Sequence, residues 1–147
     1  MPSNNNRTET TPLLTITTNP RPNLPPRSNT LTTKMFWTLA CLYGASAVGL
    51  GAFGAHGLKK AIGTSDPARL ANFATAAHYQ MVHSAALLFA AQAGNPVPCT
   101  LLTAGMTLFS GSLYALVLDP ARFRFLGPVT PLGGLCLIGG WLSLAWK

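Results

Sequence analysis

The chain predicts an all-α integral membrane bundle of four transmembrane helices behind a disordered N-terminal tail. Two features carry that expectation. Leu70 to Leu118 contains no Asp, Glu, Lys or Arg, and it breaks once, at Gly94-Asn95-Pro96-Val97-Pro98, as two helices joined by a tight turn would. A further run free of those residues lies on each side, Met35 to Leu58 and Phe125 to Trp146. Each run is close to the ~20 residues that a helix needs to cross about 30 Å of hydrocarbon. The expected spans are therefore residues 35–58, 70–93, 99–118 and 125–146.

Composition agrees with a lipid setting. At 147 residues there is room for one domain, and only 9% of its residues are charged, against about 25% in soluble chains. A charge at the bilayer centre costs ~2.5–3.5 kcal/mol on insertion scales, so scarcity of charge is what lipid demands. The net charge of +7 does not indicate nucleic-acid binding. Lys34, Lys59, Lys60, Arg69, Arg122, Arg124 and Lys147 stand at the ends of the apolar runs, where long cationic side chains reach the headgroups. Cys41, Cys99 and Cys136 fall in three different runs with no CxxC pair, which implies small apolar packing rather than a disulfide framework or zinc site.

Residues 1–34 hold six of the twelve prolines, and Thr and Asn dominate the rest. Such a segment buries too little apolar surface to offset the entropy of ordering, so disorder is expected. It has no apolar core of a secretory signal. Arg7, Arg21 and Arg27 with little acid suggest a mitochondrial presequence, against which the prolines would break the required amphipathic helix. Glu9, Leu13 and Leu14 fit the acidic dileucine pattern that adaptor complexes read on cytosolic tails, whereas Asn6-Arg7-Thr8 is a glycosylation sequon usable only in a lumen. The two motifs imply opposite sides of a membrane, and short patterns of this kind arise often by chance.

The first span opens on Phe36 and Trp37 at interface depth, then gathers Gly44, Ala47, Gly51, Gly54 and Ala55 near one face, where small residues allow close helix approach. Asp66 or Ser65 is placed to cap the second span, with Pro67 in its first turn. Asp119-Pro120 ends the third. The fourth carries Pro131, a candidate kink, and Gly133-Gly134 and Gly139-Gly140. Short linkers make successive helices antiparallel neighbours. Orientation is nearly tied: Lys59, Lys60, Arg69, Arg122 and Arg124 lie on one side, and Arg21, Arg27, Lys34 and Lys147 on the other.

The polar stretch within the spans is His78-Tyr79-Gln80-Met81-Val82-His83-Ser84. On a helix Tyr79 and His83 are about 40° apart and Gln80 and His83 about 60°, so the three share one wedge from which His78 points away. Ionisable groups at such depth either mark a functional path or bond neighbouring helices, at ~0.6–2 kcal/mol per contact. Ser110 and Tyr114, four apart, present hydroxyls that could meet this wedge. His56, near the end of the first span, lies well outside the depth of His83, which argues against a haem held between them. Three histidines at different depths or faces with no carboxylate beside them make a poor metal site. Phe109-Ser110-Gly111 is not a nucleophile elbow, and no glycine loop cradles a phosphate. No catalytic residue, cofactor or metal is expected.

Five motifs recur in order: Gly51-Ala52-Phe53-Gly54-Ala55-His56-Gly57-Leu58, Tyr79-Gln80-Met81-Val82-His83, Leu108-Phe109-Ser110-Gly111-Ser112-Leu113-Tyr114, Leu126 to Gly134 with Thr130-Pro131 inside it, and Gly140-Trp141-Leu142. Together they resemble the YgdD/YwdK-type small multi-pass membrane proteins over about Met35 to Lys147. The resemblance implies a multi-pass fold of unassigned function. It singles out His56, Tyr79, Gln80, His83, Ser110 and Tyr114, and it leaves Met35 as an alternative start of a eukaryotic member. The association of some eukaryotic relatives with mitochondria keeps the inner membrane open beside a vacuolar or endosomal one. Two functions follow as expectations. One is a non-enzymatic protein that packs against other membrane proteins or its own copies. The other is a small transporter or proton-linked channel lined by Tyr79, Gln80 and His83.

Overall fold

The computed structural model describes Met1, residues 30–63 and residues 66–146, and every regular element among them is helical. Most of the tail lies outside the described residues, including Asn6, Glu9, Leu13 and Leu14.

Helix α1 spans Thr30–His56. It begins before Met35 because no Gly or Pro intervenes to stop it, and Thr38 Oγ1 donates to Lys34 O at 2.9 Å within the extension. Gly57 separates it from the four-residue α2, Leu58–Ala61. Leu58 is fully buried against Phe73 and Val117, so the chain folds back on the helix ends here instead of running straight on.

Helix α3 spans Pro67–Ala93, with Asp66 Oδ1 accepting from Ala68 N at 3.0 Å and Pro67 in the first turn. Of the two caps foreseen, Ser65 lies outside the described residues. Gly94 ends the helix at φ 73°, a left-handed conformation that glycine adopts without a Cβ clash. Asn95 then caps α4, Pro96–Leu118, by accepting Val97 N on Oδ1 at 3.1 Å. Cys99, the expected start, is thus already inside the helix. Pro96 and Pro98 sit in a first turn whose amides have no ladder partner in any case.

After Asp119, whose Oδ1 accepts from Arg122 N at 3.1 Å, a 3-10 turn at Arg124–Leu126 leads to α5, Val129–Ala145. The fourth helix therefore starts later than Phe125. Pro131 falls in its first turn and removes no ladder bond, so the expected kink loses its cause.

Among the described residues, three segments are long and apolar enough to cross a membrane: Leu31–His56, Pro96–Leu118 and Arg124–Ala145. Helix α3 is not among them. At 27 residues it has the length, but Arg69, Asn72, His78, Gln80, His83, Ser84 and Gln92 dilute its hydropathy.

The helices form an open row. α1 packs on α3, α3 on α4 and α4 on α5, while α1 and α5 share no packed interface. The α4–α5 contact is the closest. A Cβ built on Gly133 would lie 2.4 Å from Phe109 N, and one on Gly140 2.7 Å from Leu102 Cδ2. On the other side of the row, a Cβ on Gly54 would stand 2.9 Å from the Phe73 ring. One apolar core, with Leu87, Ala90, Leu102, Met106 and Leu137, fills the half near the α3–α4 turn. A smaller one, Leu58, Phe73 and Val117, closes the opposite end.

Candidate functional site

The polar side chains of the row fall into separate contacts, each dictated by register. Gln80 is buried and turns to α1, where its Nε2 donates to Tyr43 O at 2.9 Å and to Ser46 Oγ at 2.7 Å. Tyr43 in turn reaches across to α4, with its Oη 2.5 Å from Thr107 Oγ1. These contacts tie α1 to α3 and, through Tyr43 alone, to α4.

His83 turns the other way. Its Nδ1 lies 2.6 Å from Tyr79 O, one helical turn back, and its ring stacks on Tyr79 at 5.6 Å between centroids. Beyond it the ring meets Trp141 of α5 edge-on at 6.1 Å, while Tyr79 also packs on Phe109 at 4.8 Å. His78, Tyr79, Val82 and His83 line a shallow depression on the outer surface. The wedge is thus split: Tyr79 and His83 stay together, and Gln80 serves a different helix.

Ser110 and Tyr114 do not reach the wedge. Buried Ser110 donates from Oγ to Ala76 O at 3.0 Å, and the Tyr114 ring sits 4.8 Å from Phe73. The short turn at Gly94-Asn95 runs α4 back along α3, and the Ser110–Ala76 bond fixes the register: Ser110 lies nearer the start of α3 than Tyr79, and Tyr114, packed on Phe73, lies nearer still. His56 is exposed at the end of α1, away from the rest.

Contacts not foreseen from the sequence involve Tyr43, Ser46, Thr107 and Thr130, whose Oγ1 lies 2.6 Å from Ser112 Oγ. Tyr43 and Ser46, three apart in a run of small residues, were the available signal. Arg69 was expected at a headgroup. It donates through Nη2 to Val117 O, satisfying a carbonyl of the last turn of α4. Its Nε and the Tyr114 hydroxyl are buried without a hydrogen-bond partner among the described residues. Cys41, Cys99 and Cys136 are all free thiols. No group of three or more His, Cys, Asp or Glu among the described residues could hold a metal ion.

Residues 50–134, which contain the whole Tyr79–His83 segment and the Ser110–Tyr114 turn, match the family described as a protein of unknown function, DUF423. A UPF0382 membrane protein of Schizosaccharomyces pombe is 42% identical over 117 residues, covering 74% of this chain and 96% of its own length. The chain belongs to the DUF423/UPF0382 membrane protein family. The YwdK protein of Bacillus subtilis is 36% identical over 119 residues, covering 76% of this chain and 93% of its own. A Staphylococcus aureus UPF0382 membrane protein is 40% identical over 117 residues, with 76% and 92% covered. No solved structure matches. The membership agrees with the YwdK-type resemblance of the five motifs, and with three apolar helices it makes this UPF0382 chain an integral membrane protein.

Proposed function

We propose that this UPF0382 chain crosses the membrane four times and works without catalysis, by packing against other membrane proteins or further copies of itself. The observation that carries the reading is the open row. Its end helices, α1 and α5, each use one side on a neighbour and leave the other side unmatched among the described residues. The small exposed residues Ala45, Gly49 and Ala52 lie along the free side of α1, where another helix backbone can approach closely.

Counting α3 as a span rests on its place in the row. It is held between two apolar helices, runs about 40 Å, and turns Gln80 and Ser84 inward onto hydrogen-bond acceptors. Light scattering of the detergent-solubilised protein, with crosslinking in native membranes, tests the assembly. A lone monomer in both measurements would sink it.

The Tyr79–His83–Trp141 ring series supports a second reading, a small transporter or proton-linked channel. It predicts flux in reconstituted liposomes that His83→Ala abolishes. Flux indifferent to that change removes His83 from the path.

For location, the reading is an endomembrane with the tail in the cytosol. It rests on Glu9, Leu13 and Leu14, far enough from Met35 for an adaptor to reach. The mitochondrial inner membrane is the competing site.

A further inference from the structure

His83 leaves one edge of its ring unsatisfied. Its Nδ1 stands 2.6 Å from Tyr79 O, and a carbonyl oxygen only accepts, so the ring proton sits on Nδ1. The neutral imidazole then presents Nε2 as a bare acceptor, and no described residue donates to it. The ring is held firmly in place. Only 7% of the residue is exposed, Tyr79 stacks on it at 5.6 Å, and Trp141 meets it edge-on at 6.1 Å. Unlike the orphaned Arg69 Nε and Tyr114 hydroxyl, Nε2 is not sealed from outside. His83 lines the recess on the outer surface together with His78, Tyr79 and Val82.

With α3 crossing the membrane, the depth of this acceptor restricts what can answer it. His83 lies about 15 Å along the helix from Ala93 and about 24 Å from Pro67, well inside a hydrocarbon layer about 30 Å thick. Acyl chains carry no donor, and water is absent at that depth. Charged donors and lipid headgroups stay at the interface. The recess measures about 260 Å³, and a cavity of about 150 Å³ already holds one benzene ring. Its aromatic neighbours, Tyr79 and Trp141, suit a flat ring. Tyr79 also brings a hydroxyl that makes no hydrogen bond to a described residue.

We propose that this recess binds a membrane-dissolved hydroquinone, its ring seated beside Tyr79 and Trp141 and one hydroxyl donating to His83 Nε2. A hydroquinone joins the three properties that the recess asks for: solubility in the middle of the bilayer, a single flat ring, and an uncharged O–H donor. Its second hydroxyl is available to the Tyr79 hydroxyl. His83 sets the specificity, because its own proton is committed to the backbone and its free edge can only accept. A ring of the same shape without an O–H leaves Nε2 bare and loses that bond. The inference goes beyond the packing and transport readings above and rests on the four-span reading for the depth of α3.

The test uses the full chain in lipid nanodiscs with Trp37→Phe and Trp146→Phe, so that Trp141 alone reports. Titration with tetramethylhydroquinone should quench its fluorescence saturably. The dimethyl ether of that probe keeps the ring and lacks the donor, and should give only the linear quenching of a solute dissolved in lipid. His83→Phe removes the acceptor and should weaken the saturable phase by roughly tenfold or more. His83→Gln restores an acceptor and should recover most of it, with circular dichroism confirming the helicity of both variants. Should His83→Phe unfold, the hydroquinone and its ether compared on the chain with His83 intact decide the matter. In parallel, Val82→Cys, in a chain with Cys41, Cys99 and Cys136 replaced by Ala, is treated in native membranes with a membrane-impermeant maleimide. Val82 is exposed beside the recess, and position 82 should stay unlabelled. Linear quenching throughout with position 82 unlabelled overturns the ligand and leaves the four spans standing. Saturable quenching that the ether shares, or that His83→Phe leaves unchanged, overturns the bond to His83. Labelling at position 82 overturns the four-span reading, and the depth argument for a hydroquinone falls with it.

Discussion

Gln80 is a polar residue whose whole hydrogen-bonding effort is spent inside its own chain. Its amide donates to Tyr43 O and Ser46 Oγ, so the side chain works as a clasp between α3 and α1. Interhelical bonds of this kind contribute ~0.6–2 kcal/mol in lipid. Gln80→Leu should destabilise the protein in detergent by an amount of that order, read as a lowered thermal midpoint, and any transport activity should fall only in proportion to protein level. A selective loss of flux at unchanged stability would refute the clasp. The side chain's presence at depth was legible in the sequence; its partner was not. Gln80 and His83 are separated by about 60° around the helix, and that is enough to direct one to α1 and the other to α5. Which neighbour stands on which side is a property of the assembled row, to which helical spacing is blind.

At the scale of elements, the helix ends were largely legible because their chemistry is local. Asp66 with Pro67, and Gly94 with Asn95 and Pro96, each satisfy or dispense with terminal backbone groups using residues adjacent in sequence. The late start of α5 was less so, since the apolar run continues through Phe125 and Leu126 into a 3-10 turn that no apolar count distinguishes. The glycines show the same divide. Their abundance in the last span was plain, but the contacts they serve lie mainly inside this chain: Gly133 and Gly140 meet α4. Gly133→Ala should destabilise by roughly 1–3 kcal/mol through overpacking, because its Cβ would press on backbone that cannot rotate away. Gly111→Ala meets nothing within 4 Å and should be neutral or stabilise by up to about 0.5–1 kcal/mol through helix propensity. Thermal melts of the two variants side by side decide it, and equal effects would contradict the close α4–α5 contact.

For the whole molecule, the all-helical character and the apolar spans follow from composition, whereas the open row does not. Short connections require successive helices to be neighbours, and both a closed bundle and a row meet that requirement. The row results from α4 spending its two sides on α3 and α5, leaving α1 joined to the rest almost wholly through α3. On the proposed four-span reading, the tail and Lys147 share one side of the membrane, opposite Lys59, Lys60, Arg122 and Arg124. With the tail in the cytosol, Leu13→Ala with Leu14→Ala should divert the protein from a vacuolar or endosomal membrane, read by microscopy and fractionation. A glycan on Asn6, detected as a mass shift after glycosidase, would reverse the assigned side. Co-purification with the mitochondrial inner membrane and no response to either test would relocate it altogether.

The turn at Gly94-Asn95 bears on how the protein is made. Only two residues separate α3 from α4, too few to let one helix settle in the bilayer while the other waits outside. The helix richer in polar groups emerges from the ribosome first, and alone it is a poor candidate for the lipid phase. Tethered this tightly to a strongly apolar partner, it can partition together with that partner as a hairpin, with Gln80 and Ser84 facing α1. If α3 crosses as proposed, its insertion depends on α4 having been synthesised, so a chain truncated at Gly94 should leave α3 largely uninserted. Restoring residues through Leu118 should rescue it.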